Sequence, residues 1–112
     1  MADPLPPHWF QILLSLTDRP LHGLAITDDV SARTGGRLYL WPGVLYVALR
    51  KMAEAGLIAE TDPPADFVAT AGKARFFKLT PVGRRACADE AAYLAGMMAS
   101  AQVKKVLKTR TR

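Results

Sequence analysis

The chain has 112 residues, of which half are hydrophobic and one is a cysteine. This length suits a single compact domain. The lone Cys87 excludes an internal disulfide and a two-cysteine redox or zinc motif. No apolar run reaches the roughly 18 residues of a membrane-spanning helix. The formal charge of +5 comes from the C-terminus, because five of the 15 basic residues lie in the last nine positions and the remaining ten are balanced by ten acids.

The first part of the chain predicts an irregular arm followed by three helices. Three prolines in residues 1–7 exclude a helix interior there, and residues 8–16 carry apolar side chains around most of a helical circumference, which predicts burial on more than one side. A second helix is predicted over residues 22–34, before two glycines, and a third over residues 42–55, which begins with proline and ends before glycine. The third helix should bury a stripe with i, i+3, i+4, i+7 spacing, formed by Leu45, Ala48, Leu49 and Met52.

A β-hairpin is predicted after the third helix. Residues 57–61 and 73–79 have strand character, and the proline-containing residues 62–72 form the loop between them. Because side chains alternate across a strand, one of Phe76 and Phe77 should enter the core, while the other packs on a helix or stays partly exposed.

One long helix follows the hairpin. Thr80 is an N-cap and Pro81 a first helical residue, so that the helix occupies residues 80–108 and leaves a basic tail at residues 109–112. The fold class is therefore mainly α with a small β-hairpin. The elements of residues 1–79 are those of a winged helix-turn-helix, in which the third helix is presented to the major groove of DNA.

Five short motifs stand in unbroken order between residues 10 and 93: PLHGLAI at 20–26, TGGR at 34–37, PGVLYVAL at 42–49, EAGLI at 54–58 and KLTPVGR at 78–84. Together they resemble the PadR family of phenolic-acid-response transcriptional repressors, in its short branch with a single C-terminal helix. The resemblance implies a winged-helix repressor that dimerises through its C-terminal helix and binds a palindromic operator. In some members of the family, a flat aromatic or cationic compound enters a pocket at the dimer interface and releases the DNA.

Outward-facing residues of the third helix and cations of the hairpin are the predicted DNA contacts. Arg50 and Lys51 have the length to reach a guanine edge or a phosphate, and Tyr46 a phosphate oxygen. Cations on the second strand suit phosphate contacts. The same charges also fit an ordinary solvated surface, and the resemblance shifts the interpretation towards DNA. The predicted DNA-binding residues are Gly43, Val44, Tyr46, Val47, Arg50, Lys51, Lys73, Arg75 and Lys78.

The small side chains and methionines of the last helix predict a homodimer interface, called the seam below. Small side chains let helices approach closely and methionine fills irregular gaps, while burial within one chain is the alternative and accounts for only one face. Trp9 and Trp41 are expected to fill the core or the dimer interface. The predicted dimer residues are Trp9, Phe10, Leu13, Ala91, Leu94, Met97, Met98 and Ala101, and the pocket for a possible small aromatic effector would be lined by Trp9, Met97 and Met98.

Catalytic and cofactor chemistry is not expected. His22 lies at a helix start without a Ser, Cys or carboxylate in catalytic spacing, which favours a packing or capping role, and Cys87 behaves as a small apolar residue. The sequence has no metal-ligand cluster, phosphate loop or triad spacing. Without a leader-like start, the chain is expected to be soluble and cytoplasmic.

A second function fits a departure from the family pattern. Trp41, Val44 and Val47 stand where the family usually has a different set of residues, including hydroxyl side chains at the first two positions. The chain would then be a winged-helix ligand-sensing or protein-interaction module with weak or lost operator reading. The operator, the effector and the regulated genes do not follow from the sequence.

Overall fold

A computed structural model describes residues 4–67 and 74–107 of the chain. Within these residues the chain forms helices and a small antiparallel sheet, as predicted. In chain order the elements are α1 (Pro7–Ser15), β1 (Leu21–His22), α2 (Gly23–Arg33), α3 (Pro42–Glu54), β2 (Ile58–Thr61), β3 (Phe76–Leu79) and α4 (Pro81–Val103).

Helix α1 begins one residue earlier than predicted, at Pro7. The expected arm over residues 1–7 is therefore too long at its end, and residues 1–3 lie outside the described part of the chain. Proline suits this position because the first N–H groups of a helix have no intrahelical acceptor. The first turn of α1 thus uses a residue that the sequence analysis treated only as a helix breaker.

The core lies between α1, α2, α3 and the sheet. Its largest side chains that are almost completely buried are Ile12, Leu13, Ile26, Val30, Leu40, Leu49, Met52 and Ile58. The hydroxyl of Thr27 donates to the carbonyl of Leu40 at 3.2 Å inside this core, which joins α2 to the segment that leads into α3. The position of α3 is therefore set by apolar packing and by one buried hydrogen bond.

Arg33 fixes α2 against α1. Its guanidinium donates to the side-chain oxygen and the carbonyl of Gln11 at 2.8 and 2.7 Å, to the Ser15 hydroxyl at 3.0 Å and to Asp29 at 2.6 Å. Hydrogen bonds from the Ser15 hydroxyl and from Arg33 hold the pKa of the Asp29 carboxyl below its ordinary value. Polar contacts thus join the solvent-facing edges of the two helices.

The sheet contains a third strand that the sequence did not reveal. Strand β3 lies in the middle, with β2 on one side and β1 on the other. The two-residue β1 is too short for a periodic pattern.

Phe77 belongs to the core cluster, and Phe76 is equally buried. The expectation that the second phenylalanine packs on a helix or stays exposed is wrong, because His22 and Phe67 cover Phe76, at 5.2 and 4.8 Å between ring centres.

The start of α4 is joined tightly to the turn after α3. That turn ends at Gly56, whose φ of 78° lies in the left-handed region that glycine enters without strain. The Thr80 hydroxyl donates to the carbonyl of Gly56 at 2.6 Å and accepts from the N–H of Gly83 at 2.9 Å. Helix and turn approach so closely that a Cβ on Gly83 would lie 1.9 Å from the carbonyl oxygen of Leu57.

Two further contacts hold the first turns of α4 on the head, which is the part of the chain that precedes this helix. Arg84 donates to the carbonyl of Thr17 at 3.0 Å, and the buried Glu90 accepts from the backbone N–H of Leu5 at 3.1 Å. Beyond Glu90, every side chain over residues 91–100 is exposed. Because little in the described protomer covers this half of α4, most of its apolar surface faces solvent.

Helix α4 ends at Val103 rather than near residue 108. Lys105 takes a left-handed conformation with a φ of 63°, which stops the helix, and Val103 and Val106 are largely exposed. Side-chain packing supplies most helical stability in proteins, and it is missing at this end of the protomer. Residues 108–112, including the basic tail, lie outside the described part of the chain.

Candidate nucleic-acid interface

Helix α3 has one buried and one exposed side. The predicted stripe is confirmed, since Leu45, Ala48, Leu49 and Met52 are all buried. The helix starts after Trp41 without a side-chain cap, and Pro42 is its first residue. The six helix residues that the sequence analysis placed outward are all exposed: Gly43, Val44, Tyr46, Val47, Arg50 and Lys51.

A groove of about 610 Å³ runs between α3 and the hairpin. The side chains of Tyr46 and Arg50 line its helix side, and those of Glu60 and Arg75 line its strand side. The Arg75 guanidinium carbon lies 6.0 Å from the centre of the Tyr46 ring and 5.4 Å from that of Phe77, distances at which a cation is attracted to an aromatic face. The fold thus brings one predicted hairpin cation next to the predicted helix residues.

Both arginines of this groove are near carboxylates. Arg75 donates from Nε and Nη2 to the two oxygens of Glu60 at 3.1 and 3.0 Å, and Arg50 lies 3.6 Å from Glu54. The hydrogen bonds from Arg75 lower the pKa of the Glu60 carboxyl, and Glu60 raises the pKa of Arg75 in return. The groove is therefore a surface of mixed charge whose cations are held in place by acids.

Glu54 and Glu60 were not among the residues predicted for this surface. Glu54 lies four residues after Arg50, a spacing that predicts a helical ion pair and was available from the sequence. Glu60 faces Phe77 in the register of β2 and β3, and that register places it beside Arg75. The spacing along the chain does not show this second pair.

A second groove of about 430 Å³ lies on the other side of α3, against the start of α1. His8 and Trp9 of α1 and the preceding Pro6 line one side of it. Val44, Val47 and Lys51 are among its α3 residues. Burial lowers the pKa of His8 below its ordinary value. The described residues thus place Trp9 beside the exposed side of α3.

Tyr46 lies across the beginning of α2. A Cβ on Gly23 would be 2.3 Å from the Tyr46 hydroxyl oxygen, so that the phenol occupies the space that a larger residue would take. The Tyr46 side chain is still 40% exposed. It therefore combines a fixed position with an accessible surface.

Trp41 does not fill the core of the protomer, and its other expected place, in the dimer interface, stays a prediction. It is 66% exposed and contacts the exposed Tyr39 edge to face, with ring centres 4.6 Å apart. Its position as N-cap of α3 directs it away from the buried stripe. The sequence indicated neither this aromatic pair nor its exposure, because residues 37–40 carry no periodic pattern.

The two remaining predicted DNA contacts are Lys78 and Lys73. Lys78 is exposed, and the alternation of β3 places it across the strand from Phe77 and Arg75, away from the groove just described. Lys73 lies outside the described residues. Of the two hairpin cations in the described part of the chain, Arg75 is the one that lies next to the surface of α3.

The predicted dimer residues are mostly accessible, with one exception. Leu13 has no exposed surface, so its assignment to the interface is wrong: it is a core residue of the protomer. Trp9 and Phe10 are partly exposed, and Ala101 is likewise intermediate. The more exposed members of the set are Ala91, Leu94, Met97 and Met98.

His22 and Cys87 have packing roles. The His22 ring lies 5.3 Å from that of Phe67, and its side chain makes no capping hydrogen bond to α2. Cys87 is buried, and burial raises the pKa of its thiol. Across residues 4–67 and 74–107, no group of His, Cys, Asp and Glu has the arrangement of a metal site, and no helix has the length and apolarity needed to cross a bilayer.

Solved structures of transcriptional regulators have the same fold. A regulator from Thermoplasma acidophilum is 24% identical, with a TM-score of 0.65 over 92% of both chains. PadR from Bacillus subtilis in complex with operator DNA is 21% identical, with a TM-score of 0.63 over 75% of this chain and 47% of that one. A PadR-family regulator from Eggerthella lenta is 21% identical, with a TM-score of 0.67, over 92% of this chain and 83% of its own. The predicted winged-helix fold class is thereby confirmed.

Sequence comparison identifies the family. A Streptomyces fradiae protein, an uncharacterised 37.1 kDa product of a transposon, is 36% identical over 80 residues, which are 71% of this chain and 21% of that protein. This chain therefore spans about one fifth of the length of that curated relative. The model of the transcriptional regulator PadR-like family matches residues 12–89. The chain belongs to the PadR-like family of transcriptional regulators, which are not enzymes.

Proposed function

We propose that this regulator binds double-stranded operator DNA as a homodimer and represses transcription from the bound promoter. The observation that carries the proposal is the exposed side of α3, where all six predicted contact residues are accessible. In a winged helix-turn-helix, this helix enters the major groove. Repression then requires only that the bound dimer occupies the promoter.

The charges of the site support contact with a polyanion. Arg50 and Lys51 are exposed on α3, and Arg75 stands across the groove from Arg50. Cations at such positions hold phosphates and set the register of a protein on the duplex. We assign the base contacts to α3 and the backbone contacts mainly to the hairpin.

Two separate tasks are proposed for the two parts of the chain. The head, residues 1–79, would contact DNA, and helix α4, which spans Pro81–Val103, would join two copies. Exposed apolar side chains on α4 support this division, since Leu94, Met97 and Met98 lie on the half that makes little contact with its own head. The part of α4 beyond Glu90 ends at Val103, and an uncovered helix of roughly 12–15 residues or fewer is marginal in water. A second copy would bury the apolar side of this part.

Release by a small aromatic effector is the finer part of the proposal. Trp9, Met97 and Met98 supply one flat aromatic surface and two adaptable thioethers. All three are accessible in the protomer. A dimer could enclose them, and a bound effector would then change the angle between the two heads.

The DNA-binding test compares two double variants on duplexes from the region upstream of the gene. Arg50→Ala with Lys51→Ala should weaken binding by about 10- to 100-fold and reduce the slope of log affinity against log salt by about two. Arg85→Ala with Lys104→Ala removes the same charge from exposed positions of α4 and its end, and should have a much smaller effect. Failure of the wild-type protein to bind any such duplex at low salt would refute the proposal.

The dimer test uses sedimentation at several protein concentrations. Met97→Asp places a charge on the proposed seam and should convert the dimer to a monomer. Val82→Asp introduces the same charge at an exposed position in the first turn of α4, where it should leave the mass unchanged. A wild-type protein that stays monomeric at micromolar concentration would exclude the homodimer.

A winged-helix ligand-sensing or protein-interaction module with weak or lost operator reading is the second candidate. The observation that favours it is the apolar surface of Trp41, Val44 and Val47 at the centre of the proposed DNA contact. If it holds, the variant lacking Arg50 and Lys51 would regulate its promoter as the wild type does. Loss of regulation in that variant would exclude the second candidate.

A further inference from the structure

An apolar strip formed by Trp41, Val44 and Val47 runs along the exposed side of α3. Val44 and Val47 are spaced by three positions, which places them on one side of the helix, and Trp41 precedes them as the N-cap. The exposed fractions of Trp41, Val44 and Val47 are 66%, 51% and 44%. Beside them, Tyr39 contacts Trp41. Exposed apolar side chains that adjoin one another commonly mark a contact surface.

The hydrogen-bonding side chains of α3 stand beside this strip. Tyr46 lies against Gly23, Arg50 is near Glu54, and Lys51 lines the groove shared with α1. The middle of the helix surface therefore offers mainly methyl groups and an aromatic ring. Cations on both sides of the strip favour a polyanion as its occupant.

Only one apolar group is displayed by base edges in the major groove, the 5-methyl group of thymine. We infer that Val44 and Val47 select thymine by contacting this methyl group, with Trp41 excluding water from one end of the contact. This inference rests on the proposed function, because it requires α3 to enter the major groove. It assigns sequence preference to residues that carry no hydrogen-bonding group.

The size of the effect follows from the surface of one methyl group. Removing a methyl or methylene group of this size from water changes an equilibrium by about fourfold. Two such contacts in one half-site would therefore favour thymine over uracil by roughly 10- to 20-fold. Uracil differs from thymine only in lacking this methyl group, so that the comparison leaves Watson–Crick pairing unchanged.

The experiment first selects a binding sequence from randomised duplexes and then measures affinity by fluorescence anisotropy. Each thymine of the selected duplex is replaced singly by deoxyuridine, and the full set is replaced together. The same duplexes are measured with Val44→Ala, with Val47→Ala and with Val82→Ala. The last variant is a matched control, because Val82 is 60% exposed and lies on α4.

The wild type and Val82→Ala should bind at least one uracil duplex about fourfold more weakly than the thymine duplex. In Val44→Ala or Val47→Ala, the penalty at one of these positions should disappear. Equal affinity for thymine and uracil duplexes, with DNA binding intact, would overturn the inference and leave the proposed function standing. A uracil penalty that persists in both valine variants would also overturn it, whereas failure to select any duplex would refute the proposed function itself.

Discussion

Replacing Gly83 by alanine tests how tightly α4 is held on the head. The new Cβ would lie 1.9 Å from the Leu57 carbonyl oxygen and 2.8 Å from its carbon. Contacts under 3.0 Å are essentially never seen for real Cβ atoms, so the helix start and the turn must separate by about 1 Å. That movement strains the hydrogen bond from the Thr80 N–H to the Leu57 carbonyl, which is 3.1 Å long.

The expected loss of stability combines three effects. Overpacking a close contact costs about 1–3 kcal/mol, and weakening a hydrogen bond costs about 0.5–1.5 kcal/mol. The higher helix propensity of alanine offsets up to about 1 kcal/mol. We expect Gly83→Ala to lower the free energy of unfolding by about 2 kcal/mol and the melting temperature by roughly 10 °C.

Urea unfolding followed by circular dichroism measures this change. Gly43 in α3 provides the control, because nothing lies within 4 Å of the Cβ that alanine would add there and it lies outside the proposed dimer contact. Gly43→Ala should therefore stabilise the protein by up to about 1 kcal/mol. The variants must be compared at one protein concentration, since association changes apparent stability. If Gly83→Ala is as stable as the wild type, the close approach of α4 to the turn is refuted.

Three further outcomes are expected. Glu60→Gln should raise DNA affinity several-fold at low salt, measured by anisotropy, because Arg75 loses the carboxylate that competes with phosphate. Asp29→Asn should destabilise the protein at pH 7 by up to about 1 kcal/mol. Because the pKa of Asp29 is lower in the folded state, the carboxylate's contribution to stability is complete above its ordinary pKa of about 4 and is lost as the pH falls through the lower folded-state pKa. Thermal melts of the wild type and the variant should therefore converge in acid. Cys87 should react with a thiol reagent only after denaturation, followed spectrophotometrically, because its thiol is buried away from the reagent and this burial also raises its pKa.

The predictions for Glu60, Asp29 and Cys87 can each be contradicted, and two of them have a matched control variant. Asp89→Asn removes the same charge from an exposed position on α4 and should change DNA affinity much less than Glu60→Gln; equal gains would assign the effect to net charge. Asp28→Asn, at the exposed neighbouring position of α2, should lack the effect of Asp29→Asn at pH 7. Rapid modification of the native thiol would contradict the burial of Cys87.

Periodic sequence patterns predicted the helices and the hairpin, and they failed where structure depends on contacts between distant residues. The stripe of Leu45, Ala48, Leu49 and Met52 is a property of one helix, and the sequence contains all of it. Strand β1 has only two residues, and its conformation depends on pairing with β3. Leu13 satisfies the same pattern whether a neighbouring helix or a second copy covers it.

Some features of the candidate site follow from one helix, and others depend on residues that are distant in the sequence. Which residues of α3 face outward follows from helix geometry, and all six are exposed. The pairing of Arg75 with Glu60 depends on strand register, and the exposure of Trp41 depends on the path of the α2–α3 connection. Neither is encoded in local spacing.

Because α4 is one continuous helix, insertions in it can change either the rotation of the head or its distance from the dimer contact. Its first turns are fixed to the head through Gly83, Arg84 and Glu90, and the rest extends outward without a break to Val103. In a dimer joined through the outer half, inserting one residue after Glu90 would turn each head by about 100° relative to its twin, while seven residues would nearly restore the angle and add about 10 Å. The same head could thereby serve operators with different half-site spacing, through changes of helix length alone.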